Sequence, residues 1–289
     1  MLSVLSIKKI QLLLLVSWGV LLLSFNEPLL LTLEYGGFLF LGVIGALVAN
    51  ATGAGGGVVF IPFFNQMELS NMASVATSFA IQCCGMTAGA VTWWHFYRQH
   101  KVADIEWQEL WRTLKLTVPF SILGLVPVQF SEIQSPASLN LSFGVFSIIL
   151  AVAIFATIPL LKKQTFNAEH HVLDAIFLPL VSLIGGAITA WLSVGVGELV
   201  AVYLIIRGFN IMYAVAVAVM LSAFTVWAAM IYHIQVSEAV HWQIWLFAGP
   251  GALIGGVLAK RLALYFSATN LKTFFAVWVL LLGFISLPI

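Results

Sequence analysis

Charge is scarce in this sequence. Twelve Lys and Arg and eleven Asp and Glu are spread over 289 residues, 8% of the chain. A soluble domain carries about a quarter charged residues, so these few cannot clothe a globule in water. A net charge of +1 leaves no basic footprint for nucleic acid. Cysteine is nearly absent, and Cys83 and Cys84 are adjacent, which excludes a disulfide framework and a Cys-x-x-Cys metal site. The six histidines offer no i, i+4 pair and no His-Glu-x-x-His, so no helical metal site is expected. A glycine-rich run is present, but no Gly-Lys-Ser/Thr ends it and no strand pattern flanks it. That excludes a P-loop and ATP-driven transport by this chain. No cofactor is expected.

What the sequence has is apolar length: 62% of its residues are hydrophobic. It reads as an all-α integral membrane protein. Runs of about 17–25 apolar residues are the unit of a crossing, and such runs cover 10–25, 71–97, 114–130, 139–161, 211–232, 242–259 and 271–287. The first lacks a small-x-small cleavage site and reads as an uncleaved helix. Two further stretches, 36–67 and 175–206, are too long for one crossing and are broken, at Asn50–Gly57 and at Gly195–Glu198. Each is either a kinked span or a pair of half-helices that re-enter from one side. Charge favours re-entry: with the N-terminus in the cytoplasm, all twelve basic residues, from Lys8 and Lys9 to Lys272, fall on the cytoplasmic side, as the positive-inside bias prefers. A crossing at 36–67 would move Arg98 to Lys115 outside.

The breaks recur. A shift of 142 positions lays Gly53-x-Gly55 on Gly195-x-Gly197 and Ala76 on Ala218, and later Pro119-x4-Gly124 matches Pro250-x4-Gly255. The chain divides into an N-terminal transmembrane helix (1–35), repeat A (36–161), a cytoplasmic linker (162–171) and repeat B (172–289). Each repeat holds one Gly-rich broken helix pair and three crossings. An odd number of crossings inverts the second copy, and inverted repeats with matching broken helices point to a transporter's central site.

At these breaks the sequence resembles the TauE/SafE family, also called the 4-toluene sulfonate uptake permease family. The resemblance rests on Gly53-Ala54-Gly55-Gly56-Gly57, the apolar run to Pro62, and Ala76-Thr77-Ser78 opening a long helix. The second copy is degenerate: no Pro follows Gly195-Val196-Gly197-Glu198, and Ala218-Val219-Met220 replaces Ala-Thr-Ser. The resemblance covers most of 36–289. It implies transport of a small, often sulfur- or carboxylate-bearing organic anion.

The residues themselves support such a site and also admit structural readings. Unwound glycine at membrane depth is tolerated only against protein or a water-filled cavity, and half-helix N-termini suit an anion's oxygens. Gly53, Gly55, Gly56, Gly57, Gly195 and Gly197 are therefore substrate-binding candidates, with close helix packing as the alternative. Thr77 and Ser78 on the following helix are candidates for lining, or else for interhelical bonding, and Gln82 shares their polar stretch. Asn50 and Thr52, at the first break, are further substrate-binding candidates; Asn50 either donates to an anion or caps the broken helix, and Asn210 reads as a helix cap. Glu198 stands apart, because the other ten acids fall at loops and helix ends. A carboxylate at that depth marks function by default. It is either a proton-coupling group or a cap on the half-helix after Gly197. The tryptophans near span ends, Trp93, Trp94, Trp107, Trp111, Trp242 and Trp245 among them, read as interfacial anchors.

The expected function is secondary transport of a small sulfite, sulfonate or carboxylate anion across the cytoplasmic (inner) membrane, with a cytoplasmic N-terminus and possible proton coupling. The partners are that anion and the bilayer, and a homo-oligomer stays open. The alternatives are a channel or metal-cation permease and a subunit of a larger membrane complex. An enzyme is not expected, since Asp104 and Asp174 lie at span ends rather than as an intramembrane pair.

Overall fold

The computed structural model describes residues 4–131, 133, 135–161 and 172–287. The linker at 162–171, with Lys162, Lys163, His170 and His171, lies outside the described residues. Among those described, every regular element is helical. The helices are α1 (Val4–Leu23), α2 (Pro28–Tyr35), α3 (Phe38–Thr52), α4 (Gly57–Gln66), α5 (Asn71–Phe96), α6 (Ile105–Gln108), α7 (Leu110–Phe130), α8 (Leu139–Leu161), α9 (Asp174–Leu192), α10 (Val196–Ile206), α11 (Ile211–Gln235), α12 (Trp242–Tyr265) and α13 (Ala268–Ile285). A π-helical turn, Tyr97–Lys101, extends α5.

Among the described residues six helices are long and apolar enough to cross a membrane: α5 with its extension, α7, α8 to Pro159, α9, α11 and α12. Leu15–Leu23 of α1 and Pro28–Tyr35 of α2 are apolar enough together and meet at 114°. Large apolar side chains such as Phe40, Leu123, Ile149 and Phe274 stand exposed on the outer faces. That much bare hydrocarbon is the surface of a protein in lipid, not in water. α5 and α11 are the most enclosed long helices. Each starts on a side-chain cap that supplies an acceptor to a free N–H: Ser70 accepts from Ala73 N at 3.2 Å and Asn210 from Met212 N at 2.8 Å.

Both broken stretches fold back as hairpins. α3 ends at Gly53, whose φ of +81° is left-handed and costs glycine nothing. α4 then returns, so that Phe63 packs edge-on against Phe38 at 6.0 Å between centroids. α9 ends at Ser193 with φ +57°, Gly195 follows at φ +143°, and α10 returns. Its last turn lies beside the start of α9, where Arg207 Nε donates to Asp174 Oδ1 at 2.7 Å. A kinked through-span would separate these ends by the thickness of the bundle.

The two halves pack on each other in corresponding ways. α3 lies on α12 and α9 on α7; α12 also meets α5 and α7 meets α11; α5 pairs with α11 and α8 with α13. Exchanging α3 with α9, α4 with α10, α5 with α11, α7 with α12 and α8 with α13 maps these contacts onto one another. Fine detail follows the same exchange. A Cβ on Gly124 would lie 2.0 Å from the carbonyl oxygen of Leu183, and one on Gly255 2.2 Å from that of Val43. The left-handed C-caps of α3 and α9, Gly53 and Ser193, and the N-caps of α5 and α11, Ser70 and Asn210, both lie 140 positions apart.

Two sequence expectations change here. Trp93 and Trp107 are fully buried rather than interfacial. The Trp93 ring N–H donates to Asn50 O at 3.2 Å, and Trp107 stacks on Tyr97 and meets Tyr213 edge-on. Asn50 does not cap the break. Its amide donates to Ala46 O and to Gly85 O, at 2.8 and 3.2 Å, and so ties α3 to α5. Lys272 is buried in α13.

Candidate functional site

The tips of the two hairpins meet in the middle of the bundle, and one side chain joins them. Glu198, in the first turn of α10, is buried. Its Oε2 accepts the N–H of Gly195 at 2.9 Å, which caps its own half-helix, and its Oε1 accepts the N–H of Gly55 from the other break at 2.6 Å. The cap read from the sequence is therefore present, and it reaches across to the other hairpin. Two backbone donors and the positive end of α10 converge on one carboxylate, which supplies what an ionised group needs away from water.

Gln82 of α5 makes the second junction. Its Oε1 accepts the N–H of Gly56 at 2.8 Å. Its Nε2 faces Ser78 Oγ at 3.0 Å, Ser193 Oγ at 2.8 Å and Ser193 O at 3.1 Å. Ser193 Oγ donates to Ser78 Oγ at 3.0 Å. The next free N–H of the second break, on Val196, is taken by Thr189 Oγ1 at 3.0 Å. Four of the N–H groups exposed by unwinding are thus matched by side chains. Among the described residues Ser222 Oγ has no partner; it is buried and lines the space beside Glu198.

The sequence candidates fall into separate roles. Gly55, Gly56 and Gly195 present N–H groups to the junction, and Glu198 and Ser78 belong to it. Gly57 and Gly197 are close-packing positions. A Cβ on Gly57 would lie 2.4 Å from Ser193 O, and one on Gly197 2.5 Å from Ser222 Oγ and 2.8 Å from Gly53 O. The close-packing reading of the glycine run applies at Gly57 and Gly197. Thr52 bonds back to Val48 O at 2.8 Å and lines a crevice below the tips with Gly53. Thr77 stands apart from the junction; its hydroxyl accepts the N–H of His241 at the start of α12, at 2.9 Å. Asn50, as above, ties helices. Gln82 was visible in the sequence as a polar residue one turn after Ser78, but Ser193, Thr189 and Ser222 carried no signal, being single hydroxyls in apolar runs.

Space lies on both sides of the junction. A wide cavity of about 650 Å³ opens where α5 and α8 begin and α7 and α11 end. Its wall includes Gln129 and His233, whose Nε atoms lie 3.1 Å apart, and Ala190 next to Thr189 of the junction. His233 is buried and stacks on Phe79 at 5.3 Å. On the other side a narrow crevice of about 30 Å³ runs from Glu198, Thr52 and Gly53 past Ala201 to Lys272. Glu198 borders this crevice as well as the small space beside Ser222.

Comparison with known proteins gives one result. The family model described as Sulfite exporter TauE/SafE matches residues 38–285, which takes in both hairpins and all six long helices. No curated protein and no solved structure matches the chain.

Proposed function

The chain belongs to the TauE/SafE family of sulfite-exporter-type transporters, and from that premise we propose that it is a secondary transporter whose two hairpin tips form the anion site. The observation that carries this reading is the seat of Glu198: one carboxylate held by backbone N–H groups from both breaks. Donors that cradle a carboxylate suit a sulfite, sulfonate or carboxylate equally, since each offers two oxygens on one centre to two N–H groups and a helix N-terminus. In this conformation the protein's own acid fills the cradle.

Proton coupling follows from that occupancy. Ionised Glu198 competes with substrate for Gly55 N–H and Gly195 N–H. A proton on Glu198 removes its charge and weakens both bonds, so the cradle opens to an anion when a proton arrives. Anion and proton then move together, and the reverse steps reseat Glu198. The matched packing of the two halves suits alternating access by inverted repeats about a fixed central site. In this reading the wide cavity is the outer vestibule, the N-terminus is cytoplasmic and the membrane is the cytoplasmic one.

The test is flux in proteoliposomes with sulfite, thiosulfate, simple sulfonates and short carboxylates under an imposed pH gradient. At least one anion moves saturably, faster when the gradient runs in its direction. Glu198→Gln removes that acceleration. If no anion of the panel moves, the transport reading fails. If Glu198→Gln keeps the full gradient response, the coupling role fails.

A further inference from the structure

We propose that the Lys272 ammonium, oriented by its bond to the Thr157 hydroxyl, forms a second anion-binding position, on the crevice that leads from the Glu198 cradle, where the anion rests before entering or after leaving the hairpin tips. The proposal rests on the anion-transport reading and adds a site to it. Lysine is almost never buried without a partner, and its long stem ordinarily carries the ammonium to water. Lys272 is only 8% exposed. Among the described residues its partner is Thr157 Oγ1 alone, at 3.0 Å. That hydroxyl spends its own proton on Ile154 O at 2.7 Å, so it can only accept from the lysine. An ammonium has three donors; two are left for something other than these neighbours.

The contrast with Arg207 sharpens the point. That guanidinium is held by Asp174 in an ion pair, with Nε to Oδ1 at 2.7 Å and a second bond to Oδ2 at 3.2 Å. Among the described residues Lys272 has no such carboxylate. A buried charge without a counter-charge is costly, and the crevice supplies a way for one to arrive. Lys272, Thr52, Gly53 and Glu198 border the same narrow space, so an anion at Lys272 stands on the route to the Gly55 and Gly195 N–H groups. While Glu198 is ionised and seated, the anion is held at Lys272. When Glu198 takes a proton, the cradle opens and the anion can advance.

The experiment uses the full chain in phosphatidylcholine proteoliposomes of known orientation, which present no anionic lipid. It measures KM for sulfite, or for whichever panel anion the unaltered protein moves, from each face. Lys272→Gln raises KM about ten- to hundredfold, as losing a charge-assisted bond implies, at the face where α8 ends and α13 begins. KM at the other face stays within about twofold of wild type, and Lys272→Arg restores much of the loss. An unchanged KM, or an equal rise at both faces, overturns the proposal. Should Lys272→Gln not yield folded protein, Thr157→Val carries the test, with a smaller rise at the same face only. A binding measurement separates this site from the transport reading. Sulfite raises the thermal unfolding temperature of detergent-solubilised wild type but not of Lys272→Gln. If no anion moves yet this difference is seen, the site stands and the transport reading falls; if sulfite stabilises neither protein, the site falls.

Discussion

Single side chains settle how the unwound segments survive away from water. The N–H groups of Gly55, Gly56, Gly195 and Val196 are met by Glu198, Gln82 and Thr189, and an unmet buried N–H costs about 1–3 kcal/mol. Gln82→Leu strands Gly56 N–H and breaks the tie to Ser193, so it destabilises the protein by about 1–3 kcal/mol, read as a lower unfolding temperature in detergent. Glu106, outside the spans, tests electrostatics in the same way. It accepts the N–H of Asn210. Its carboxyl is held above the ordinary carboxylate range, mainly by burial, with Asp104 adding to the rise and the Asn210 N–H and Lys101 opposing it. The folded state therefore holds this proton more tightly than the unfolded one. Stability should fall as pH rises from the ordinary carboxylate value through the raised one, and Glu106→Gln flattens that part of the curve. Glu198 was legible in the sequence as an isolated acid at a glycine break. Its second bond, to Gly55, was not, because the partner lies 143 residues away and only the meeting of the hairpins brings it there.

The hairpins owe their shape to a few backbone positions. Gly53 and Gly195 take left-handed or otherwise strained angles, and Gly57 lets α4 start against the last residues before the second break. A Cβ there would press on backbone, 2.4 Å from Ser193 O and 2.8 Å from its carbonyl carbon, and backbone yields less than a side-chain tip. Gly57→Ala should destabilise by about 1–3 kcal/mol, the usual cost of overpacking, and slow transport more than it lowers stability, because it separates the two tips. Gly37→Ala is the control: nothing lies within 4 Å of its Cβ position, so stability and flux stay near wild type. At this scale the sequence was informative where glycine broke an apolar run and less so where the halves diverged. The glycine pattern suggests an offset of 142, because Gly195-x-Gly197 looks like Gly53-x-Gly55. α9 itself ends at Ser193, a left-handed position occupied by serine that no pattern of glycines announces. The burial of Lys272 was hidden for a related reason: a base near a span end ordinarily reaches water, and only the packing of α13 on α8 closes that route.

The whole molecule presents an asymmetry that its matched packing does not. The cavity of about 650 Å³ lies at one end of the bundle and a crevice of about 30 Å³ at the other, with the Glu198 junction between them. If the two halves exchange roles during transport, the exchange that relates α3 to α9 and α7 to α12 converts this conformation into one with the wide opening at Lys272. A channel would instead keep both sides open to the site together. Single cysteines separate these cases once Cys83 and Cys84 are replaced by alanine. Ala137→Cys reports on the wide cavity and Ala201→Cys on the crevice. A membrane-impermeant maleimide applied to the cavity side should label position 137 quickly, while the same reagent on the opposite side labels position 201 slowly. Acid pH with a transported anion should lower the first rate and raise the second, because a proton on Glu198 and an anion in its place release the junction that holds the tips. Fast labelling of both positions under one condition, or rates that ignore anion and pH together, would mean a continuous pore or a rigid scaffold. Opposed changes are what a single central gate, alternately facing each side, requires.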